Sequence, residues 1–125
     1  MEILVPISLG ELYDKFSILE IKLLRIKDEE KLINIKTEYD KIKLIIDEYP
    51  IDDFYLFDLI HANTYLWELE ELIRLKESLN EFDDSFILTS KNIYHTNDIR
   101  SDIKKQINIK YNSSIIEEKS YEQNA

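Results

Sequence analysis

One glycine, Gly10, and two prolines, Pro6 and Pro50, leave few places for tight turns in 125 residues. A sandwich or barrel of short strands needs a Gly-, Pro- or Asn-rich turn roughly every ten residues, so this scarcity argues against an all-β fold. A few long helices joined by short connections remain. The length suits one domain with a real core, read here as residues 1–125.

The hydrophobic spacing agrees. Residues 2–7 read as an extended lead-in, because Pro6 disfavours helix at Val5. Ser8-Leu9-Gly10-Glu11 has the form of a capping box and predicts the start of a first helix, with Leu12, Phe16, Leu19, Leu23 and Ile26 on its main apolar face. Ile18, Ile21 and Leu24 make it apolar on other sides too, as befits a central or interface helix. Asp28 caps a second, plainly amphipathic helix over 29–48, ended by Pro50. A third, capped by Asp52 or Asp53, extends to about Leu79. Ala62, Tyr65, Leu69, Leu72 and Ile73 lie on one of its faces, and Leu56, Ile60, Asn63, Trp67, Glu70 and Arg74 on another. The loop 80–84 precedes a fourth helix over about 85–111, and a tail, 112–125, in which Ile115 and Ile116 are expected to dock. The expected fold is all-α, an antiparallel bundle of about four helices.

Composition narrows function mainly by exclusion. No cysteine is present, so disulfides and thiolate metal sites are out. The chain has no signal-peptide pattern and no apolar run of membrane-spanning length, and a cytoplasmic protein, in the host cytoplasm if the source is viral, is expected. A net charge of −10 opposes binding to a nucleic-acid backbone. That charge is unevenly spread: Asp28 to Asp84 holds 17 acidic and 6 basic residues, Ser8 to Lys27 has 3 and 4, and Asp98 to Lys110 has 2 and 4. The first and last helices would line a mildly basic pocket in an acidic shell if they pack together, or would simply pair with the acidic middle helices.

The stretch TNDIRSDIKKQIN, 96–108, sharpens this choice. Asn97, Arg100, Lys104 and Asn108 recur at helical steps, in line with apolar Phe86, Ile93, Ile107 and Tyr111. Charges so placed must be paired, hydrated or bound to something. One reading is an anion pocket built from Lys15 and Lys22 of the first helix, Asn63, Trp67 and Arg74 of the third, and Asn97, Arg100 and Lys104 of the fourth. The plainer one pairs Glu70 with Arg74 and sends Arg100 or Lys104 to water or to a neighbouring carboxylate. A separate acidic set, Glu68 and Glu71 with Asp98, has oxygen ligands for magnesium if a facing helix completes the site, although a Glu run is usually a solvated face. Its E-x-x-E spacing resembles that of all-α nucleotide pyrophosphohydrolases, but the E-x-x-D that those enzymes carry on a following helix has its only downstream counterpart at Glu81 to Asp84, in the loop. His61 and His95 have no evident nucleophile, and the single glycine excludes a phosphate-binding glycine loop.

ISLGELYDKFSILEIKLLRIKD (7–28), LWELEELIR (66–74), IYHTNDIRSDIKKQIN (93–108) and EEKSY (117–121) together resemble the signature blocks of a small protein family of unknown function found in bacteria and viruses. The resemblance implies that Gly10, Glu11, Asp14, Lys15, Glu20, Lys22, Trp67, Glu68, Arg74, Asn97, Asp98, Arg100, Lys104, Asn108, Glu118, Lys119 and Tyr121 are motif positions. It implies no activity. His95 stands where the family more usually has a basic residue. The function expected from the sequence is binding of an anionic small molecule, a nucleotide or sugar phosphate, rather than catalysis, with no cofactor. The alternatives are a helical homodimer serving assembly and a magnesium-dependent nucleotide hydrolase, and a homo-oligomer is expected.

Overall fold

The computed structural model describes residues 1–120: four helices and no strand, packed as a bundle. They are α1 (Leu9–Arg25), α2 (Glu29–Ile46), α3 (Asp53–Ser78) and α4 (Asp84–Lys110). No helix among the described residues is long and apolar enough to cross a membrane. The lead-in, residues 1–7, is exposed and lacks regular structure.

Side chains set the helix starts. Ser8, Asp28 and Asp83 each accept the backbone N–H three residues on, from Glu11, Lys31 and Phe86. Asp52 holds the N-cap position of α3 without a capping bond; its carboxylate pairs with Lys110 at 2.8 Å and its backbone N–H donates to the Tyr111 hydroxyl at 2.9 Å, fastening the start of α3 to the end of α4. The helix ends explain how the chain manages with one glycine. Asn80 and Asn112 take up the left-handed conformation, at φ 54° and 55°, one residue past the caps of α3 and α4. The next amides reach back, Glu81 to the Lys76 carbonyl at 2.9 Å and Ser113 to the Asn108 carbonyl at 2.8 Å, which completes a Schellman motif at each end.

Gly10 is thereby released for packing. A Cβ there would sit 3.0 Å from the Lys104 carbonyl carbon and closer still to its oxygen, so α1 and α4 cross backbone to backbone.

Helix α1 packs against all three others, and α3 packs along α4. Its Leu12, Tyr13 and Phe16 join Tyr55, Leu59 and Ala62 of α3, Ile103 and Ile107 of α4 and Ile46 of α2 in the core. Phe16 stacks on Tyr39 at 5.2 Å, and the Tyr39 hydroxyl donates to Glu20 at 2.9 Å; burial, and then that bond, push the Tyr39 pKa up to about 12.

The expected faces need correction. Leu23 and Ile26 of α1 are half-buried and Leu24 is exposed, whereas Ile21 is buried. On α3 the buried stripe is Tyr55, Leu59, Ala62, Leu66 and Leu69, and Tyr65 and Leu72 face outward. Apolar residues all round this helix left its periodicity without a single maximum, and the position of α4 decides the face. Of the tail residues expected to dock, Ile115 is half-buried and Ile116 exposed.

Replacing Gly10 with alanine should destabilise the fold by about 1–2 kcal/mol, because forcing apart two backbones outweighs the roughly 1 kcal/mol gain in helix propensity. Urea denaturation of Gly10→Ala tests this; an unchanged or higher midpoint would contradict the close crossing.

Candidate functional site: a buried carboxylate and the groove beside it

Asp14 is fully buried, one turn into α1 from the Gly10 crossing. Its Oδ1 accepts from Arg100 Nε at 2.9 Å and from Asn63 Nδ2 at 2.8 Å, and its Oδ2 accepts from Arg100 Nη2 at 2.7 Å. Ser17, also buried, accepts a second Asn63 N–H at 2.7 Å and donates to the Asp14 carbonyl at 2.6 Å. One carboxylate thus ties α1 to α3 and α4, and the two-pronged Arg100 contact fixes both distance and rotation. Its hydrogen bonds to Asp14 raise the Arg100 pKa above the ordinary arginine value, against the opposing effect of burial. No buried side-chain nitrogen or oxygen among the described residues lacks a partner.

The same edge of α4 closes the N-terminus of α1. The Gly10 amide donates to Asn108 Oδ1 at 2.6 Å and the Leu9 amide to Ser113 Oγ at 3.2 Å, while Glu11 N–H goes to Ser8. With these amides engaged, the end of α1 offers no ready anion site. Instead of closing the expected capping box, the Glu11 carboxylate is turned to Lys104, which also lies 4.0 Å from Asp14.

Beyond this cluster, a groove of about 550 Å³ runs between α4 and the tail, lined by Tyr94, Asn97, Arg100, Ser101, Lys104, Lys105, Asn108 and tail residues Glu117, Glu118 and Lys119. On the other side of Arg100, a hollow of about 450 Å³ is bounded by Ile18 and Ile21 of α1, Asn63, Trp67 and Arg74 of α3, and Asn97.

The residues expected to form one pocket are therefore divided. Arg100 and Asn97 border both spaces, Lys104 the groove only, and Asn63, Trp67 and Arg74 the hollow only. Asn63 is committed to Asp14 and Ser17, the Trp67 indole donates to Glu71 at 2.7 Å, and Arg74, mostly exposed, pairs with Glu70 at 3.4 Å. Lys15 and Lys22 belong to neither space. One residue beyond Asp14 is about 100° around the helix, and Lys15 there pairs with Glu38 of α2 at 3.3 Å; Lys22, seven residues on, lies in the last turn of α1.

The acidic set expected to hold magnesium does not converge. Glu68 pairs with Arg25 at 3.1 Å, Glu71 accepts from Trp67, and Asp98 is buried and bound to Lys119 of the tail at 3.0 Å. No group of three His, Cys, Asp or Glu suited to a metal occurs among the described residues. Each of the three carboxylates has its own partner, a cation for Glu68 and Asp98 and an indole for Glu71.

Sequence reasoning missed the roles of Asp14, Ser17 and Glu117. The signals for the first two were a polar pair at i and i+3, following Tyr13 and Phe16, and the place of Asp14 among the motif positions. Tyr121 lies outside the described residues.

Fold and site define an all-α bundle clasped by a buried ion pair. The chain belongs to the family of unknown function DUF6165, whose profile matches residues 3–125. No curated protein and no solved structure matches it.

Neutralising the buried carboxylate weakens its three charge-assisted hydrogen bonds and leaves Arg100 without its counter-ion, so Asp14→Asn should lower stability by about 2–3 kcal/mol, whereas Lys15→Ala should cost less than about 0.5 kcal/mol. Parallel urea melts check the contrast; equal small effects would mean that Asp14 is not the joint of the bundle.

Proposed function

We propose that the groove between α4 and the tail binds a small anionic molecule, of the nucleotide or sugar-phosphate kind, and that the protein acts as a binding module. The observation that carries this reading is a concentration of cations. In a chain of net charge −10, Arg100, Lys104, Lys105 and Lys119 line one groove whose acidic lining, among the described residues, is Glu117 and Glu118 of the tail. Asn97 and Ser101 supply hydrogen-bonding groups between the cations, and the half-exposed Tyr94 ring offers a stacking surface at the rim. Arg100 and Lys104 are already paired with Asp14 and Glu11, so their part is to present fixed positive charge, while Lys105, nearly half exposed, is the cation most able to reorient.

Assembly through apolar contacts is a second reading, favoured by a different observation. Leu72, Leu75 and Leu79 recur at three- and four-residue steps on α3 and are 41%, 55% and 57% exposed. They follow Glu68, which pairs with the last residue of α1, so they stand on the part of α3 that outruns that helix.

Native mass spectrometry separates the two. With added pyrophosphate or a nucleoside diphosphate, the groove reading expects a one-to-one adduct on the 15.0 kDa chain, weakened on the order of tenfold by Lys105→Ala. A ligand-free dimer, or an adduct indifferent to Lys105→Ala, would overturn it.

A further inference from the structure

We propose that the tail segment 113–119 is a displaceable internal occupant of this groove, its Glu117 and Glu118 carboxylates filling the positions taken by two linked phosphoryl groups of the ligand. The inference rests on the groove reading and specifies its ligand class and regulation.

The tail leaves α4 through left-handed Asn112 and is pinned at its near end by Ser113, whose hydroxyl accepts the Leu9 amide and donates to the Ile115 carbonyl at 2.8 Å. Farther along, side chains hold it. Glu117 Oε1 accepts from the Ser8 hydroxyl at 3.1 Å and lies 3.9 Å from Lys104 Nζ. Both Glu118 oxygens accept from Lys105 Nζ, at 3.2 and 3.1 Å, and Lys119 Nζ donates to Asp98 at 3.0 Å. Consecutive carboxylates of the tail therefore meet consecutive lysines of α4. This is the pattern of a ligand with two linked anionic groups, such as a pyrophosphate or nucleoside diphosphate.

The balance of strengths makes exchange feasible. The side chains of Glu117 and Glu118 are 55% and 68% exposed, and ion pairs so hydrated are individually weak. Their advantage is tethering, which gives a nearby chain segment an effective concentration in roughly the millimolar range. A free diphosphate that engages Lys104, Lys105 and Arg100 together competes with that pairing. The Asp98–Lys119 contact, one residue farther along, would open with it, uncovering a buried carboxylate.

The test compares wild type, Glu117→Gln/Glu118→Gln and a charge-matched control, Glu29→Gln/Glu30→Gln on exposed α2, by titration with inorganic pyrophosphate at low salt. Backbone amide resonances of residues 113–120 are followed in parallel. The expected result is binding about three- to tenfold tighter in the tail variant than in wild type and control, with wild-type tail resonances moving to unstructured positions at saturation. Equal affinity in all three proteins would overturn the tail's role and leave the groove reading standing. So would equal tightening in the control, which marks a net-charge effect, or a tail that stays in place at saturation. Binding by none of them would overturn the groove reading itself.

Discussion

The architecture depends on one carboxylate kept out of water. An unpaired charge at the Asp14 position would cost several kcal/mol, so the chain is stable only where Arg100 and Asn63 reach it together. That requirement selects among packings. Four amphipathic helices have many ways to bury leucine and isoleucine, but few bring a guanidinium from α4 and an amide from α3 to the same side of α1. The hydrophobic core supplies most of the driving force, and the Asp14 clasp specifies the register in which it is assembled.

Other features follow from holding α1 at that register. Gly10, one turn before Asp14, must let the α4 backbone pass, and Asn108, one turn beyond Lys104, meets the amide exposed by that approach. The start of α1 is sealed by residues from the far end of the chain, which brings the tail across α4. Arg100 lies at the boundary: its Nε and Nη2 face the buried carboxylate, and its Nη1 donates to Asn97 at 3.2 Å beside the open groove. The same side chain that secures the bundle thus fixes a positive charge on the groove wall.

The helices were legible because local chemistry writes them: Ser8 and Asp28 cap where the sequence placed them, and the ends fall within about two residues of the expected ones. The anomaly in TNDIR was legible for the same reason, since Arg100 and Lys104 break an apolar period. Their partners were not. Asp14 reads as one more acid on an amphipathic helix, and only the crossing of α1 with α4, 86 residues away in sequence, buries it. The eight ligand candidates looked like one pocket because periodicity gives a face on each helix but not the angle between helices; that angle sent Lys15 to α2 and put Trp67 and Lys104 on opposite sides of Arg100. The three metal candidates are likewise dispersed, each engaged by a cation or an indole.

Native-state hydrogen exchange of Asp14→Asn against wild type tests the central claim most directly, because it reports opening helix by helix. If Asp14 joins three helices into one cooperative unit, amides in α1, in α3 around Asn63 and in α4 around Arg100 will lose protection together and by the same factor. Loss confined to the turn of α1 that contains residue 14, with α3 and α4 unchanged, would show that the clasp is local and that the core alone sets the register.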